Sequence, residues 1–309
     1  MRIKTLVALA TAAAVLIAAA PGAPAARPLN VVATTPDLAA LARAIGGDAV
    51  DVKALAKPTE DPHFVDAKPS HILTLNRADM LIDGGAELEM GWLPALLESA
   101  RNTKLAAGAP GRVNASEGIH LLEVPTSFDR SRGDVHALGN PHFMLDPVNV
   151  RTVAKNIADH LAKVDAPRAA QYQSNLAAFL AQLDAKLPQW QSALAPYAGA
   201  RIVTYHRDFV YLAERFKLAV IETLEPKPGI APSPSHLAEV ITAMKAQHAR
   251  VIVVQPFQNR RTAETVARQT QGIVTDISQQ PGAMPGTDTY FTLMDNIVGK
   301  LAKALSEAK

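Results

Sequence analysis

Short apolar runs alternate with amphipathic stretches in both halves of the chain. The run at 29–34 is rich in valine and predicts a buried strand, and after Pro36 the apolar positions recur at helical spacing as far as Gly46. The same criteria predict strands at 50–55, 80–82, 201–204, 219–222 and 251–254, and helices at 69–76, 209–216, 235–247 and 290–308. Alternating strands and helices are typical of a parallel sheet that helices cover on its faces.

The middle of the chain has a different pattern. From Val148 to Ala195 the apolar residues keep a helical period, and this stretch contains no glycine. We predict two consecutive helices there, the second of about 28 residues and therefore about 40 Å long, with Pro188 kinking or shortening it near its end. The fold class that follows is α/β, with two lobes, each a mostly parallel sheet flanked by helices, joined by one long rigid helix.

The first 26 residues form a pattern of their own. Arg2 and Lys4 precede an apolar run, which ends in the small residues Ala-Pro-Ala-Ala at 23–26. This order is that of a secretory signal peptide, and the apolar run is shorter than the roughly 20 residues that span a bilayer. We therefore expect residues 1–26 to be cleaved and the protein to be secreted to the periplasm.

Composition narrows the possible classes of function. The chain has no cysteine, which excludes disulfides and thiolate metal sites and leads us to predict that the protein is not a lipoprotein. A net charge of +2 and an aromatic fraction of 5% give no sign of a nucleic-acid partner. Any metal site must therefore use histidine, aspartate and glutamate.

Three of the nine histidines stand in unusual local sequences. His63 and His142 each follow a proline, in the tripeptides DPH and NPH, and His206 follows the predicted strand 201–204. Ligands of open α/β sheets bind beyond the carboxyl ends of strands, and zinc without cysteine prefers imidazoles completed by a carboxylate, for which Asp288 is a candidate. Each residue also has an ordinary alternative, a surface histidine or, for Asp288, a turn or helix-cap residue.

Several motifs follow one another along the chain: VVATT at 31–35, DPH at 61–63, NPH at 140–142 with LDP at 145–147, YHRDF at 205–209, and the loop 286–290. Together they resemble the motifs of the metal-specific solute-binding proteins of ABC transporters (ZnuA/TroA-like), which take up zinc, manganese or iron. The resemblance implies a metal ion held between two lobes, with His63 and His142 as ligands from the first lobe and His206 and Asp288 from the second.

The resemblance also implies a function and partners. It indicates a periplasmic solute-binding protein that captures Zn²⁺ and delivers it to an ABC transporter membrane permease for import. A periplasmic metallochaperone is a further expected partner, and the protein is expected to be a monomer. Family members with histidine at the position of His206 resemble zinc carriers, and imidazole suits zinc better than manganese. Mn²⁺ or Fe²⁺ as the bound ion is the alternative.

The predicted elements and the resemblance together divide the chain into four parts. They are a signal peptide at 1–26, an N-terminal metal-binding lobe at 27–165, a linking helix at 166–195 and a C-terminal metal-binding lobe at 196–309. An exported zinc hydrolase is disfavoured, since the chain has neither an H-E-x-x-H nor a G-x-S-x-G motif, and we predict that the protein is not an enzyme.

A few residues depart from the family pattern. The segment 125–139 is short and contains one histidine, His136, for which a plain surface position is favoured over a role at the mouth of the site. Gln255 stands where many relatives have glutamate, and we expect it in or behind the cleft. Asp295 is a rival to Asp288, although it falls inside the last predicted helix.

Overall fold

The computed structural model describes residues 27–125, 136–227 and 229–308. The predicted signal peptide and most of the segment 125–139 lie outside these ranges. Within them, no helix combines the length and the apolar character needed to cross a membrane.

The first lobe is a parallel four-stranded sheet. Its strands, in the spatial order β2-β1-β3-β4, are β1 (Leu29–Ala33), β2 (Val50–Ala54), β3 (Met80–Asp83) and β4 (Arg112–Asn114). Its helices are α1 (Pro36–Gly46), α2 (Pro69–Asn76) and α3 (Leu93–Ala100). Each of these helices has a proline in its first turn, where the missing N–H costs no hydrogen bond and the fixed φ favours a helix start.

Two helices then lead from the first lobe to the second. They are α4 (Pro147–Val164) and α5 (Ala169–Leu194), which is 26 residues long. The predicted pair of helices is therefore confirmed. Pro188 does not end the helix early, because α5 continues past this exposed proline to Leu194.

The second lobe repeats the topology of the first. Its parallel strands, in the order β6-β5-β7-β8, are β5 (Arg201–Thr204), β6 (Ala219–Thr223), β7 (Val251–Val254) and β8 (Ile273–Asp276). Its helices are α6 (Val210–Arg215), α7 (Pro234–Ala246), α8 (Arg260–Thr270) and α9 (Tyr290–Glu307). All four residues of β7 are buried, as expected for a central strand covered on both faces.

One hydrophobic core joins the two lobes through α5. The buried face of α5 packs against α1 and α4 on one side and α9 on the other. The rings of Phe179 and Phe291 have their centroids 4.9 Å apart, and the Trp190 indole donates a hydrogen bond to Asp295 at 2.8 Å. Asp295, considered as a ligand from the sequence, therefore ties α9 to α5. The predicted architecture of two lobes and one long helix is confirmed.

Candidate metal site

Three histidines from separate loops meet between the lobes. His63, His142 and His206 each present one ring nitrogen, and the three nitrogens all lie within 4.8 Å of one another. The Nε2 atoms of His142 and His206 are 3.2 Å apart, and the ring centroids are 5.2 Å apart in every pair. Zn–N bonds of about 2.0–2.1 Å in a tetrahedron separate two ligand nitrogens by about 3.3 Å. The spacing of the rings therefore fits a metal ion.

The sheets place these histidines where both lobes can reach them. His206 follows the carboxyl end of β5, and His63 lies in the loop after β2. His142 stands at the loop that leads into α4. Because the carboxyl ends of parallel strands form the binding edge of an open α/β sheet, the two sheets turn their binding edges toward one cleft.

The DPH and NPH tripeptides form the same kind of turn. The backbone N–H of His63 donates to Oδ1 of Asp61 at 3.0 Å, and the N–H of His142 donates to Oδ1 of Asn140 at 3.0 Å. In both, a side-chain oxygen two residues earlier closes the turn, and the intervening proline restricts the backbone. The amide of Asn140 also donates to the carbonyl of Arg207 at 2.8 Å, which joins this turn to the loop of His206.

Carboxylates hold two of the rings from behind. Nδ1 of His63 lies 2.8 Å from Oδ1 of Asp61, and Nδ1 of His206 lies 2.9 Å from Oε2 of Glu225. An ionised carboxylate only accepts hydrogen bonds, so both Nδ1 atoms carry the proton and both Nε2 atoms are left to face the centre. This arrangement of carboxylate, histidine and metal position is typical of metal-ligating histidines.

The electrostatics of the site distribute protons unevenly among the rings. Burial, reinforced by the charges of His206 and His63, holds the pKa of His142 well below its usual range. Burial also opposes the charged form of His206, but the hydrogen bond from its ring to Glu225 and the charges of Asp208 and Glu225 outweigh it and raise its pKa. Without metal, a proton on His206 can therefore point at the neutral ring of His142.

Gln255 lies behind the histidines and is 2% exposed. Its amide nitrogen donates to Oδ2 of Asp208, and its amide oxygen accepts the N–H of Gln279 at 3.2 Å. Burial raises the pKa of Asp208 to about 7, although the charge of His206 opposes this, and the other carboxyl oxygen of Asp208 has no hydrogen-bond partner in the described structure. Since Gln279 bonds the ring of His142, Gln255 connects the surroundings of two candidate ligands.

His136 is not the plain surface residue that the sequence favoured. It is half-buried, its Nε2 lies 3.2 Å from Nε2 of His63, and the two ring centroids are 5.2 Å apart. Burial, followed by the charges of His63 and His206, lowers the pKa of His136 to about 4, so the ring is neutral at pH 7. The sequence showed a single histidine in a polar loop and carried no signal of this contact.

The structure does not bring Asp288, the fourth ligand expected from the sequence, into the group of three histidines. Asp288 is exposed and lines a cavity with α1 and α5, beside Arg43 and Phe179. Thr289 is the N-cap of α9 and accepts the N–H of Thr292 at 3.2 Å, which leaves the preceding Asp288 outside the helix and on the surface. The alternative weighed from the sequence, a residue at a helix start, describes its position.

Roles for Asp61, Glu225 and Gln279 were not predicted from the sequence. Asp61 had a usable signal, because a carboxylate two residues before a candidate ligand can reach its ring. Glu225 and Gln279 had none, since each reaches the cluster only because the loops after β6 and β8 fold beside the loop after β5.

Two sequence relatives match most of the chain. The iron ABC transporter substrate-binding lipoprotein MtsA of Streptococcus pyogenes serotype M1 is 26% identical, over 90% of this chain and 89% of that protein. The manganese ABC transporter substrate-binding lipoprotein PsaA of Streptococcus pneumoniae serotype 4 is 24% identical, over 99% of both chains.

Solved structures share the fold. A crystal structure of ZnuA superimposes with a TM-score of 0.76 at 24% identity, covering 90% of this chain and 99% of that one. FpvC from Pseudomonas aeruginosa, in complex with Mn²⁺, superimposes with a TM-score of 0.76 at 23% identity, covering 91% and 100%.

The names of the sequence relatives contradict one prediction. The pattern of residues 1–26 led us to expect a periplasmic protein secreted with a cleaved signal peptide, and the absence of cysteine led us to expect that it is not a lipoprotein. MtsA and PsaA are both named substrate-binding lipoproteins, so this prediction is wrong by comparison with them. It rested on a single residue type, whereas the similarity extends over nearly the whole length of these relatives.

A family model provides the broadest match. The model described as zinc-uptake complex component A, periplasmic (ZnuA), matches residues 31–304. Together with the relatives, it identifies a metal-binding, substrate-binding component of an ABC transporter, which implies a permease and an ATPase as partners. The chain belongs to the ZnuA family of metal-binding proteins of ABC transporters.

Proposed function

We propose that this protein captures Zn²⁺ with His63, His142 and His206 and delivers it to the permease of its ABC transporter for import. The observation that carries the proposal is the cluster of three imidazoles whose ligand nitrogens lie within 4.8 Å of one another. Two of the rings are held by carboxylates on their far nitrogens, at 2.8 and 2.9 Å, which leaves their Nε2 atoms to bind the ion.

The type of ligand supports zinc over manganese. Imidazole nitrogen suits zinc, whereas manganese prefers carboxylate, carbonyl and water oxygens. The carboxylates of Asp61 and Glu225 contact ring nitrogens rather than the centre of the cluster. Relatives of the same fold are named for iron and manganese, so a carrier of Fe²⁺ or Mn²⁺ is the second candidate.

Competition between metals tests the assignment. Most nitrogen sites bind zinc more tightly than manganese, so the purified, demetallated protein is equilibrated with zinc and a roughly thousandfold excess of manganese or of iron(II) without oxygen. Bound metal is then counted by mass spectrometry. We expect one zinc ion per chain under every condition. Retention of manganese or iron in place of zinc would assign the protein to the second candidate.

A further inference from the structure

Three imidazoles leave one position of a tetrahedral ion to be filled. The residue expected there from the sequence, Asp288, is exposed and lies at a different surface. Asp61 and Glu225 hold the far nitrogens of His63 and His206. Among the described residues, the group of nitrogens and carboxylate oxygens within 4.8 Å of one another contains the three histidines and no carboxylate.

His136 is placed to fill that position. Its Nε2 lies 3.2 Å from Nε2 of His63, the same distance that separates Nε2 of His142 from Nε2 of His206. Two nitrogen pairs of about 3.3 Å are what two opposite edges of a zinc tetrahedron require. His136 does not belong to the group whose ligand nitrogens all lie within 4.8 Å of one another. Its ring therefore needs a short movement toward His142 and His206 to complete a tetrahedron.

The backbone that follows His136 is tied to the site at two points. The N–H of Ala137 donates to the carboxylate of Glu87, in the loop that follows β3. The N–H of Gly139 donates to the carbonyl of His136 at 3.2 Å, closing a turn that leads directly into the NPH tripeptide. Gly139 has φ +117°, and a Cβ there would lie 2.9 Å from the carbonyl oxygen of Leu122, so the turn requires glycine.

We propose that His136 is the fourth ligand and that the bound ion is held by four imidazoles. The proposal rests on the proposed function, because it concerns the same site. Four neutral ligands leave the ion with its full double positive charge, which the carboxylates of Asp61 and Glu225 balance from behind the rings. An all-nitrogen site also favours zinc over manganese more strongly than a site with one carboxylate.

X-ray absorption at the zinc edge counts the imidazoles directly. The zinc-loaded protein is compared with His136→Ala, with Asp288→Ala, and with the control His120→Ala, which changes an exposed histidine. We expect four imidazole ligands on zinc in the wild-type protein and in the Asp288→Ala and His120→Ala variants. In His136→Ala we expect three imidazoles and one oxygen. Since loss of a partner behind a ligand already costs about ten- to hundredfold in metal affinity, loss of His136 should weaken zinc binding by at least about tenfold.

The possible outcomes separate the two proposals. An unchanged imidazole count and affinity in His136→Ala, with circular dichroism showing the variant folded, would overturn the role of His136 while leaving zinc capture by the other three histidines intact. Loss of a zinc ligand in Asp288→Ala would also overturn the role of His136 and would assign the fourth position to the Asp288 carboxylate. If the wild-type protein binds no zinc, both the proposed function and the role of His136 are contradicted.

Discussion

At the scale of single residues, we expect the groups that hydrogen-bond the candidate ligands from behind to influence metal binding. Glu225 accepts a hydrogen bond from Nδ1–H of His206, with Nδ1 and Oε2 2.9 Å apart, and so orients the ring and increases its basicity. We expect Glu225→Gln to weaken zinc binding by about ten- to hundredfold, because the charge is lost while the shape is kept. Calorimetry measures this effect, with Glu239→Gln, a change at an exposed carboxylate, as the matched control. Equal affinities in the two variants would exclude the role given to Glu225.

The same residues predict how zinc binding depends on pH. The pKa of His206 is raised in the folded protein, because Glu225 and Asp208 outweigh the effect of burial. The stability that the protonated ring gives the metal-free protein is therefore full below the unfolded pKa and is lost as the pH rises through the folded pKa. Zinc must displace this proton, so affinity falls as the pH is lowered through the folded pKa.

Titrations from about pH 5 to pH 8, repeated in buffers of different ionisation enthalpy, measure this coupling. We expect more protons to be released per zinc ion as the pH falls. Affinity and proton release that do not change across this range would show that His206 carries no proton in the metal-free protein.

The sequence predicted the candidate ligands that carry their own local signal and not the positions that depend on the fold. His63 and His142 stand in proline turns, and His206 follows a strand, so three positions could be proposed in advance. His136 lies beside His63 and Asp288 lies away from the three histidines, and the sequence predicted neither position, since each depends on the meeting of loops that lie far apart in the chain.

At the scale of elements, α5 contains a proline, which destabilises the interior of a helix. Pro188 lies inside α5, is exposed, and cannot donate the hydrogen bond that the carbonyl of residue 184 would accept. We expect Pro188→Ala to raise the free energy of unfolding by about 1–2 kcal/mol. This is the cost of about 3 kcal/mol for proline in a helix, reduced by the greater freedom of alanine in the unfolded chain and by local adjustment of the helix.

Urea unfolding of the metal-free protein measures this change. Gln182→Ala, at another exposed position of α5, serves as the control and should stay within about 0.5 kcal/mol of the unchanged protein. A less stable Pro188→Ala would mean that the proline fits a bend that the helix needs.

Most elements could be predicted because their apolar pattern is strong. β7 is four buried aliphatic residues, and its predicted bounds are those observed. Four elements, α3, β4, α8 and β8, were not predicted. β4 has three residues, of which only Val113 is buried, and α8 is so rich in charged and polar residues that its buried face is a narrow stripe around Val266. Such elements are specified by their neighbours more than by their own composition.

At the scale of the whole molecule, a shared core and several polar contacts join the two lobes and restrict hinge motion between them. α5 shares one core with both lobes, and Arg215 of the second lobe forms a two-pronged ion pair with Asp146 at the start of α4, at 2.7 and 2.8 Å. The hydroxyl of Tyr211 also donates to the carbonyl of Asn140 at 2.7 Å, beside the NPH turn. Opening the cleft widely would break these contacts and expose part of the core.

We therefore expect metal capture and release to involve small shifts of loops and parts of one lobe. Small-angle scattering of the demetallated and zinc-loaded protein should give nearly superimposable profiles and the same radius of gyration. A clear decrease in the radius of gyration on zinc binding would indicate a large domain rotation, which this arrangement does not allow.

The central claim is that the three histidines between the lobes bind the transported ion. It is tested most directly by calorimetric titration of zinc into the demetallated protein, into His206→Ala and into the control His120→Ala. We predict tight binding of one zinc ion per chain in the unchanged protein and in His120→Ala, and its loss in His206→Ala. Binding that is absent from the unchanged protein, or that His206→Ala retains in full, would contradict the claim.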